Sequence, residues 1–353
     1  MKFQKKALAL VLSMAMMLSL GACGSSGTNK SAAASNSSGA AAEEKAVVIK
    51  FGIEGSESSN DNKVAVKIKE LVEANEAANI EVQVFGDGTL GSLRDLVEGL
   101  SLNTVGMTLV GASGFENICP NMGVYNSWVI DSPEEAIELY ESEVGGQLRD
   151  QLLNENGIRL LSYCNCVSGT TYLWGNKPMT TLADYKGVDI RTNNSASNIK
   201  ALGAFGANPV VLGFADVYNG IETGLIDMTW GSIPVVISGG QGEVLSYIMP
   251  APANFTAGMC AVSESLWGTL SENQQKVLMD AVVEACQVYG NELAAETSAA
   301  ADNMLAEAGI EKVEMVESEY DEMCRLVSDA IFGHLSETCD ANILEAARAV
   351  VAD

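Results

Sequence analysis

Residues 185–231 read YKGVDIRTNNSASNIKALGAFGANPVVLGFADVYNGIETGLIDMTWG, and the fold prediction begins from this stretch. Short apolar runs alternate in it with residues that start and end helices, which predicts the order strand, helix, strand, short helix and strand. The first strand ends at Arg191, and the Asn-Asn-Ser run at 193–195 can cap the helix that follows. Strands that alternate with single helices pair in parallel through right-handed crossovers, so the stretch predicts an α/β fold.

Arg191 is the residue of this stretch most suited to binding a ligand. Ligands of open α/β sheets bind outside the carboxyl ends of the strands, and Arg191 lies at such an end. There the guanidinium faces the positive end of the next helix, and an anion between the two would be favourable to both. A carboxylate of the chain itself, such as Asp189 or Asp216, could play that part. A bound anion and an internal ion pair are therefore both open for Arg191.

The same stretch closely resembles the DctP-like solute-binding proteins of tripartite ATP-independent periplasmic (TRAP) transporters. The family pattern is K-G-x-x-[IL]-R, then G-A-x-P, then F-x-[DE]-V-Y, then a strand that ends in D-G. The matching segments are KGVDIR at 186–191, GANP at 206–209, FADVY at 214–218 and the Ile-Asp pair at 226–227. The resemblance implies an α/β, two-lobed fold like that of type II periplasmic binding proteins. Such a fold has two α/β domains, a hinge and a long bracing helix.

The resemblance also implies which residues meet a ligand. The arginine that matches Arg191 binds the ligand's carboxylate in the family, and the phenylalanine that matches Phe214 often packs against the ligand. Glu54 follows the first strand of the chain, where family members usually place a polar residue that contacts the ligand. A solvated loop acid is an equally good interpretation of Glu54.

Departures from the family pattern bear on the ligand. Sialate-binding members carry a second arginine where this chain has Thr171 and a polar amide where it has Gly231. Many members carry an acid at the position of Trp230, and Met228 replaces the usual glycine. The cleft is therefore expected to keep one cationic anchor and to gain an indole. Trp230 could also be a core residue that points into the sheet.

These departures favour a monocarboxylate with an uncharged body, such as a sugar acid or an oxo acid. Two carboxylates in a closed cleft would each need a partner, because an unpaired buried charge costs several kcal/mol. The motif alignment supplies only Arg191. The side chains of Thr171, Asn194 and Ser195 could serve the polar groups of the ligand body, and Trp230 or Phe214 its apolar face.

The chain opens with the pattern of an export signal. Three lysines precede an apolar run at 7–20, which is too short to span a bilayer comfortably. The sequence LGAC at 20–23 resembles a lipobox, so we expect residues 1–22 to be a lipoprotein signal peptide and Cys23 to carry lipid. A plain secretory signal with an incidental cysteine is the alternative. Residues 23–45 are mostly Gly, Ser, Ala and Asn, a composition typical of a flexible linker.

The remaining sequence predicts two lobes joined by a hinge. Residues 46–168 plus 257–296 are assigned to lobe 1, and residues 169–256 plus 297–353 to lobe 2. A helical run from Ser271 to Ala308 would be on the order of 50 Å long and could brace both lobes. A last helix is predicted near 343–351.

Charge and composition exclude several functions. The formal charge is −26, and loss of the three signal lysines gives −26 − 3 = −29, which excludes general nucleic-acid binding. His334 is the single histidine, so histidine-based triads and metal clusters are nearly ruled out. No pair of carboxylates stands out by spacing. We therefore expect no enzymatic activity, no cofactor and no metal.

The sequence as a whole predicts a lipid-anchored, extracytoplasmic solute-binding protein of a TRAP importer. Its expected partners are a small organic acid, the membrane permease subunits and, through the N-terminal lipid, the membrane; the protein is expected to be a monomer. Two alternatives stay open, the binding component of an ATP-driven (ABC) importer and a ligand-sensing receptor domain. Neighbouring genes for two integral subunits, an ATPase or a kinase would separate the three.

Overall fold

The computed structural model describes residues 44–126, 129–130, 132–167, 170–252, 255 and 257–351. The predicted signal peptide, the lipobox with Cys23 and nearly all of the linker lie outside the described residues. Within the described part, no helix combines the length and the apolar character that crossing a bilayer requires.

Strands and helices alternate along most of the chain. The strands are β1 (Val47–Gly52), β2 (Ile80–Phe85), β3 (Met107–Gly111), β4 (Ile158–Tyr163), β5 (Thr171–Gly175), β6 (Asp189–Thr192), β7 (Asn208–Val211), β8 (Met228–Ser232), β9 (Tyr247–Pro250), β10 (Gly258–Ser263) and β11 (Glu311–Lys312). The helices are α1 (Asn60–Glu73), α2 (Leu93–Ser101), α3 (Pro133–Glu141), α4 (Glu143–Asn156), α5 (Ala196–Ala204), α6 (Val217–Glu222), α7 (Ile233–Ser238), α8 (Glu264–Trp267), α9 (Glu272–Val283), α10 (Gly290–Ala308), α11 (Glu317–Thr338) and α12 (Ala341–Val351).

The strands form two separate sheets, which define the two lobes. The first sheet has the order β2-β1-β3-β10-β4, with β1 parallel to β2 and β3 and with β10 antiparallel to its neighbours. The second sheet has the order β11-β9-β5-β8-β6-β7, in which β6 runs parallel to β7 and β8. The chain thus leaves the first sheet after β4 and returns at β10. This topology confirms the predicted two-lobed α/β fold.

The stretch at 185–231 folds as the sequence predicts, into β6, α5, β7, α6 and β8. Ser195 is the N-cap of α5, and its side chain accepts a hydrogen bond from the backbone N–H of Asn198 at 3.2 Å. Ala201 and Leu202 form the buried side of α5. The order β1, α1, β2, α2, β3 repeats the pattern in the first lobe, where Leu96 and Leu100 of α2 are fully buried.

The predicted bracing helix is also present, with an interruption. A π-helical turn, Glu284–Tyr289, joins α9 to α10, and Gly309 ends α10 with a left-handed φ of 71°. The first half packs on α1 of the first lobe, and the second half packs on α7 of the second. Gly290 allows a close approach here, because a Cβ on it would lie 3.1 Å from Sγ of Cys164, just after β4.

The C-terminal helices bridge the two lobes. Helix α11 packs along α5, whereas α12 packs on α3 and α4, which lie before β4 of the first sheet. One hydrophobic core is continuous across this region, since it includes Leu160 of β4, Ile190 of β6 and Leu335 of α11. The assignment of residues 297–353 to lobe 2, like the other domain boundaries, stays a prediction.

Candidate functional site

The candidate site lies where the carboxyl ends of strands from both sheets face one another. Residues that follow β1 and β3 meet residues that follow β7 and β8, and two cavities lie between them. Their volumes are about 120 and 440 Å³, and Glu54, Phe214 and Ser238 line both. The lobes also touch directly, because Oγ of Ser56 donates to the carbonyl of Ser238 at 2.9 Å.

Arg191 is buried at the edge of this cleft, with 8 % of its surface exposed. Its Nε donates to the carbonyl of Leu212 at 2.9 Å. Among the described residues its terminal guanidinium nitrogens have no hydrogen-bonding partner, and neither Asp189 nor Asp216 forms an ion pair with it. Burial lowers the pKa of Arg191, and the negative charge of Glu54 acts in the opposite direction. The internal pairing that the sequence left open is thus absent from the described part, and the two free nitrogens suit an anion.

Phe214 is held beside Arg191 by the first lobe. The guanidinium carbon of Arg191 lies 5.9 Å from the centroid of the Phe214 ring, within cation–π range. The backbone N–H of Phe214 faces Oε1 of Glu54 at 3.4 Å. Gly239 leaves room for the ring, because a Cβ there would lie 2.7 Å from its Cζ. Glu54, Arg191 and Phe214, three of the predicted site residues, are therefore brought together.

Acidic groups line the smaller cavity together with apolar side chains. Glu54 and Asp61 contribute the carboxylates, and Leu93, Leu109 and Val110 are among the apolar residues. Burial raises the pKa of Asp61 to about 6, although hydrogen bonds from Ser59 and from backbone N–H groups lower it in part. The described residues that line this cavity therefore offer hydrogen-bond acceptors and include no lysine or arginine. Arg191 lies behind the lining residue Phe214.

The raised pKa of Asp61 predicts a pH-dependent gain in stability for Asp61→Asn. In the unfolded chain this carboxyl titrates near 3.8, so its contribution to stability is fully present below pH 4 and is lost as the pH rises through about 6. We expect Asp61→Asn to raise the free energy of unfolding at pH 8 by on the order of 2 kcal/mol, and to change it little at pH 4.

Urea denaturation at both pH values measures this difference, with Asp150→Asn on the exposed side of α4 as the control. If Asp61→Asn changed the free energy of unfolding equally at pH 4 and pH 8, the result would contradict a raised pKa of the Asp61 carboxyl.

Trp230 lies on the opposite face of the second sheet from Arg191. Ile190 of β6 pairs with Met228 of β8, so Trp230, two residues further on, shares the face of Ile190. Its cross-strand partner is Leu173, and it packs against the core that contains both Leu173 and Met228. This register favours the core interpretation of Trp230, and its contact with a ligand stays a prediction.

Thr171 and Gly231 lie at the edge of the same sheet that faces the cleft. Thr171 is buried at the start of β5, opposite Ser232 at the end of β8. Gly231 is half-buried, and its carbonyl accepts a 2.9 Å hydrogen bond from the indole N–H of Trp174. A Cβ on Gly231 would lie 3.0 Å from the side chain of Val236, so a larger residue here would crowd α7.

Asn194 lies in the loop between β6 and α5, where the two lobes touch. Its backbone carbonyl accepts a hydrogen bond from Nδ2 of Asn117, and Nδ2 of the preceding Asn193 lies 3.5 Å from Oγ of Ser113. Both partners follow β3 in the first lobe. The loop is thus an interlobe contact.

Glu116 is a central residue of this contact that sequence reasoning missed. It is 4 % exposed, and its carboxylate accepts from Oγ of Ser195 at 2.9 Å and from Oγ of Ser197 at 2.5 Å. The backbone N–H of Ser197 lies 3.3 Å and Nε2 of His334 3.2 Å from the same carboxylate. Its partners are 79 to 218 residues away in sequence, so no local pattern marks Glu116. The anion expected at the α5 N-terminus is this side chain.

The fold and the site together define a two-lobed solute-binding protein with a cleft between its lobes. The chain belongs to the DctP family, described as "Bacterial extracellular solute-binding protein, family 7", whose sequence model matches residues 51–347. It is 29% identical over 267 residues to the 2,3-diketo-L-gulonate-binding periplasmic protein YiaO of Escherichia coli. The aligned region covers 75% of this chain and 80% of that protein. The chain is therefore a DctP-like TRAP solute receptor, as the sequence predicts.

Solved structures agree with this fold. A TRAP periplasmic solute-binding protein from Roseobacter denitrificans with bound L-galactonate matches with a TM-score of 0.78 at 24% identity, covering 87% of this chain and 99% of that chain. One from Shewanella oneidensis with bound succinate matches with a TM-score of 0.79 at 24% identity, covering 87% and 100%. At these identities the likeness concerns the fold.

Proposed function

We propose that this protein captures a small organic acid with a single carboxylate between its lobes, with Arg191 as the anchor of that carboxylate. The observation that carries the proposal is a buried guanidinium at the cleft whose terminal nitrogens lack a partner among the described residues. An arginine can hold a carboxylate through two parallel hydrogen bonds, which gives both strength and orientation. Phe214 would pack against the body of the same ligand.

The other charges of the cleft favour an uncharged ligand body. Glu54 lines both cavities and Asp61 lines the smaller one, so a second carboxylate placed there would face like charge. Hydroxyl groups would instead donate hydrogen bonds to these acids. A sugar acid or an oxo acid thus fits better than a C4-dicarboxylate. Relatives that bind 2,3-diketo-L-gulonate or L-galactonate support this choice, whereas the neighbour with succinate represents the alternative.

The other predicted site residues have different parts in this proposal. Asn194 lies in the interlobe loop and Thr171 opens β5, and we expect both to hydrogen-bond to a hydroxylated body. Gly231 shapes the floor through its close approach to α7. Trp230 packs against the core on the face opposite Arg191, so in this proposal Phe214 supplies the apolar contact, and contact of Trp230 with a ligand stays a prediction.

Delivery to a membrane permease completes the proposed function. Binding contacts to both lobes would favour the closed arrangement over an open one, which is the physical basis of a hinge movement. A TRAP permease would then receive the acid. The charge of about −29 repels anionic lipid, so the protein would not stay at the membrane by electrostatic attraction. The lipid on Cys23 would hold it there.

A thermal-shift screen of the mature chain tests the proposed class of ligand. A ligand that binds only the folded state raises the melting temperature with its concentration. We expect sugar acids and oxo acids with one carboxylate to raise it by several degrees at about a hundredfold excess over Kd. Failure of every carboxylic acid, with a shift from a neutral sugar or a cation instead, would contradict the proposal.

The predicted lipid anchor is tested by Cys23→Ser. We expect this protein to be released into the medium or left unprocessed, while the folded part binds its acid unchanged, since the substitution lies outside the lobes. Metabolic labelling with a fatty acid shows whether the protein carries covalent lipid, and membrane fractionation shows whether it stays with the membrane. A Cys23→Ser protein that still carries covalent lipid would show that the lipobox interpretation is wrong.

A further inference from the structure

Glu116 joins the two lobes through a buried carboxylate. It follows β3 of the first lobe, whereas its hydrogen-bond donors Ser195 and Ser197 open α5 of the second. His334 of α11, which packs along α5, adds a fourth contact. Glu116 is 4 % exposed, so its carboxylate has lost most of its hydration. The four contacts replace that hydration only while the donors stay in place. Separating the lobes here would exchange these hydrogen bonds for hydrogen bonds to water, whereas a buried carboxylate that lost its donors without gaining water would be strongly destabilised.

The carboxylate also takes the position that attracts an anion most strongly on α5. Ser195 is the N-cap and Ser197 the second residue of the helix, and the backbone N–H of Ser197 points to Oε2 of Glu116 at 3.3 Å. The N-terminus of a helix carries partial positive charge and free N–H groups. Glu116 accepts from the N–H of Ser197, and the side chain of Ser195 accepts from that of Asn198, so a ligand that binds Arg191 does not need to reach this helix end.

The contact is connected to the ligand anchor by a short stretch of chain. Arg191 and Ser195 are separated by one loop, and Asn193 and Asn194 in that loop touch Ser113 and Asn117 of the first lobe. The position of Arg191 relative to the first lobe is therefore fixed by the same contact. Glu54, which acts on Arg191 electrostatically, belongs to that lobe.

We propose that Glu116 is a positioning residue for ligand binding: it holds the α5 N-terminus against the first lobe and so sets the fraction of molecules in the closed, binding-competent arrangement. Glu116 does not touch the ligand. This inference rests on the proposed capture of an acid in the cleft. Observed affinity falls in proportion to the binding-competent fraction, so loss of the contact weakens binding even though every ligand-contacting side chain is intact.

The test is Glu116→Gln, with Glu307→Gln on the exposed side of α10 as the matched control. The glutamine keeps the shape of the side chain but loses the charge and one of the two acceptor oxygens, so it cannot replace the carboxylate in all four of its contacts. We expect the Kd for L-galactonate, measured by calorimetry, to rise about tenfold through loss of the competent fraction. The control should leave it unchanged.

A readout without ligand separates this inference from the proposed function. Hydrogen exchange of the ligand-free chain at residues 195–198 should accelerate about tenfold in Glu116→Gln, because the α5 N-terminus loses the negative charge that stabilises it, with no such change in β1 or β2. If the unsubstituted chain does not bind L-galactonate, the choice of that ligand is wrong, and the exchange result still decides the role of Glu116.

A purely structural role would have a different signature. Glu116→Gln would then lower the melting temperature and accelerate exchange throughout both lobes, while the Kd of the folded fraction stayed the same. That result, or unchanged exchange at 195–198, would overturn the inference. Ser197→Ala, which removes one donor and keeps the backbone N–H, provides a milder variant if Glu116→Gln fails to fold; a Kd raised about threefold supports the inference, and an unchanged Kd overturns it.

Discussion

Arg191→Lys weakens binding of the captured acid by about tenfold or more while the protein stays folded. The lysine keeps the charge but has a single ammonium in place of a planar group that can hold two carboxylate oxygens. In the structure Nε of Arg191 is already used by the carbonyl of Leu212, which leaves the two terminal nitrogens for the ligand. A lysine cannot serve the carbonyl and the carboxylate in the same geometry.

Calorimetric titration measures the change, with circular dichroism to verify the fold. Arg94→Lys provides the control, because Arg94 is exposed on α2 and pairs with Glu98 on its own helix. Arg191→Ala should be more severe, about a hundredfold, since it removes the charge as well. Unchanged affinity in Arg191→Lys would return Arg191 to a structural role.

Trp174→Ala lowers the free energy of unfolding by about 3–5 kcal/mol, the cost of deleting a large buried aromatic side chain. Trp174 is fully buried in the second lobe, in a core with Val217, Ile226 and Ile248. Its indole N–H also donates to the carbonyl of Gly231. The substitution therefore leaves a cavity and a carbonyl without its donor.

Guanidinium denaturation measures this loss. Trp174→Phe separates the two causes, because it keeps most of the ring and removes only the N–H; we expect it to cost about 1–2 kcal/mol. A loss below about 1 kcal/mol for Trp174→Ala would mean that the second lobe can repack around β5.

Local sequence patterns sufficed for the elements that lead to the cleft. Apolar spacing and capping residues place β6 and α5 within a residue or two of where the structure has them, because these signals act over one helical turn or one strand. Arg191 is found at a strand end for the same reason. The third strand is expected from Leu225, and β8 begins three residues later, at Met228. The predicted ends of the bracing helix agree with the structure. Its composition does not predict the π-helical turn, Glu284–Tyr289.

The features that the sequence did not give depend on contacts between distant segments. The face on which Trp230 lies follows from the pairing of β8 with β5 and β6, and a shift of one residue would reverse it. Glu116 receives its partners from α5 and α11 only after both lobes are assembled. Helix α11, Glu317–Thr338, is not among the elements that the sequence pattern predicts. Glu116 is one of 46 acidic residues, and no local sequence pattern distinguishes it from the others.

Calorimetric titration of the mature chain with matched mono- and dicarboxylates tests whether the cleft binds an acid with a single carboxylate. The pair is a six-carbon sugar acid, L-galactonate, and its counterpart with carboxylates at both ends. We expect the monocarboxylate to bind more tightly, because in the proposed complex Arg191 would pair with one carboxylate, and a second would lie near the acidic Glu54 and Asp61 that line the smaller cavity. Tighter binding of the dicarboxylate, or of succinate, would contradict the account, because it would require a second cation in the cleft.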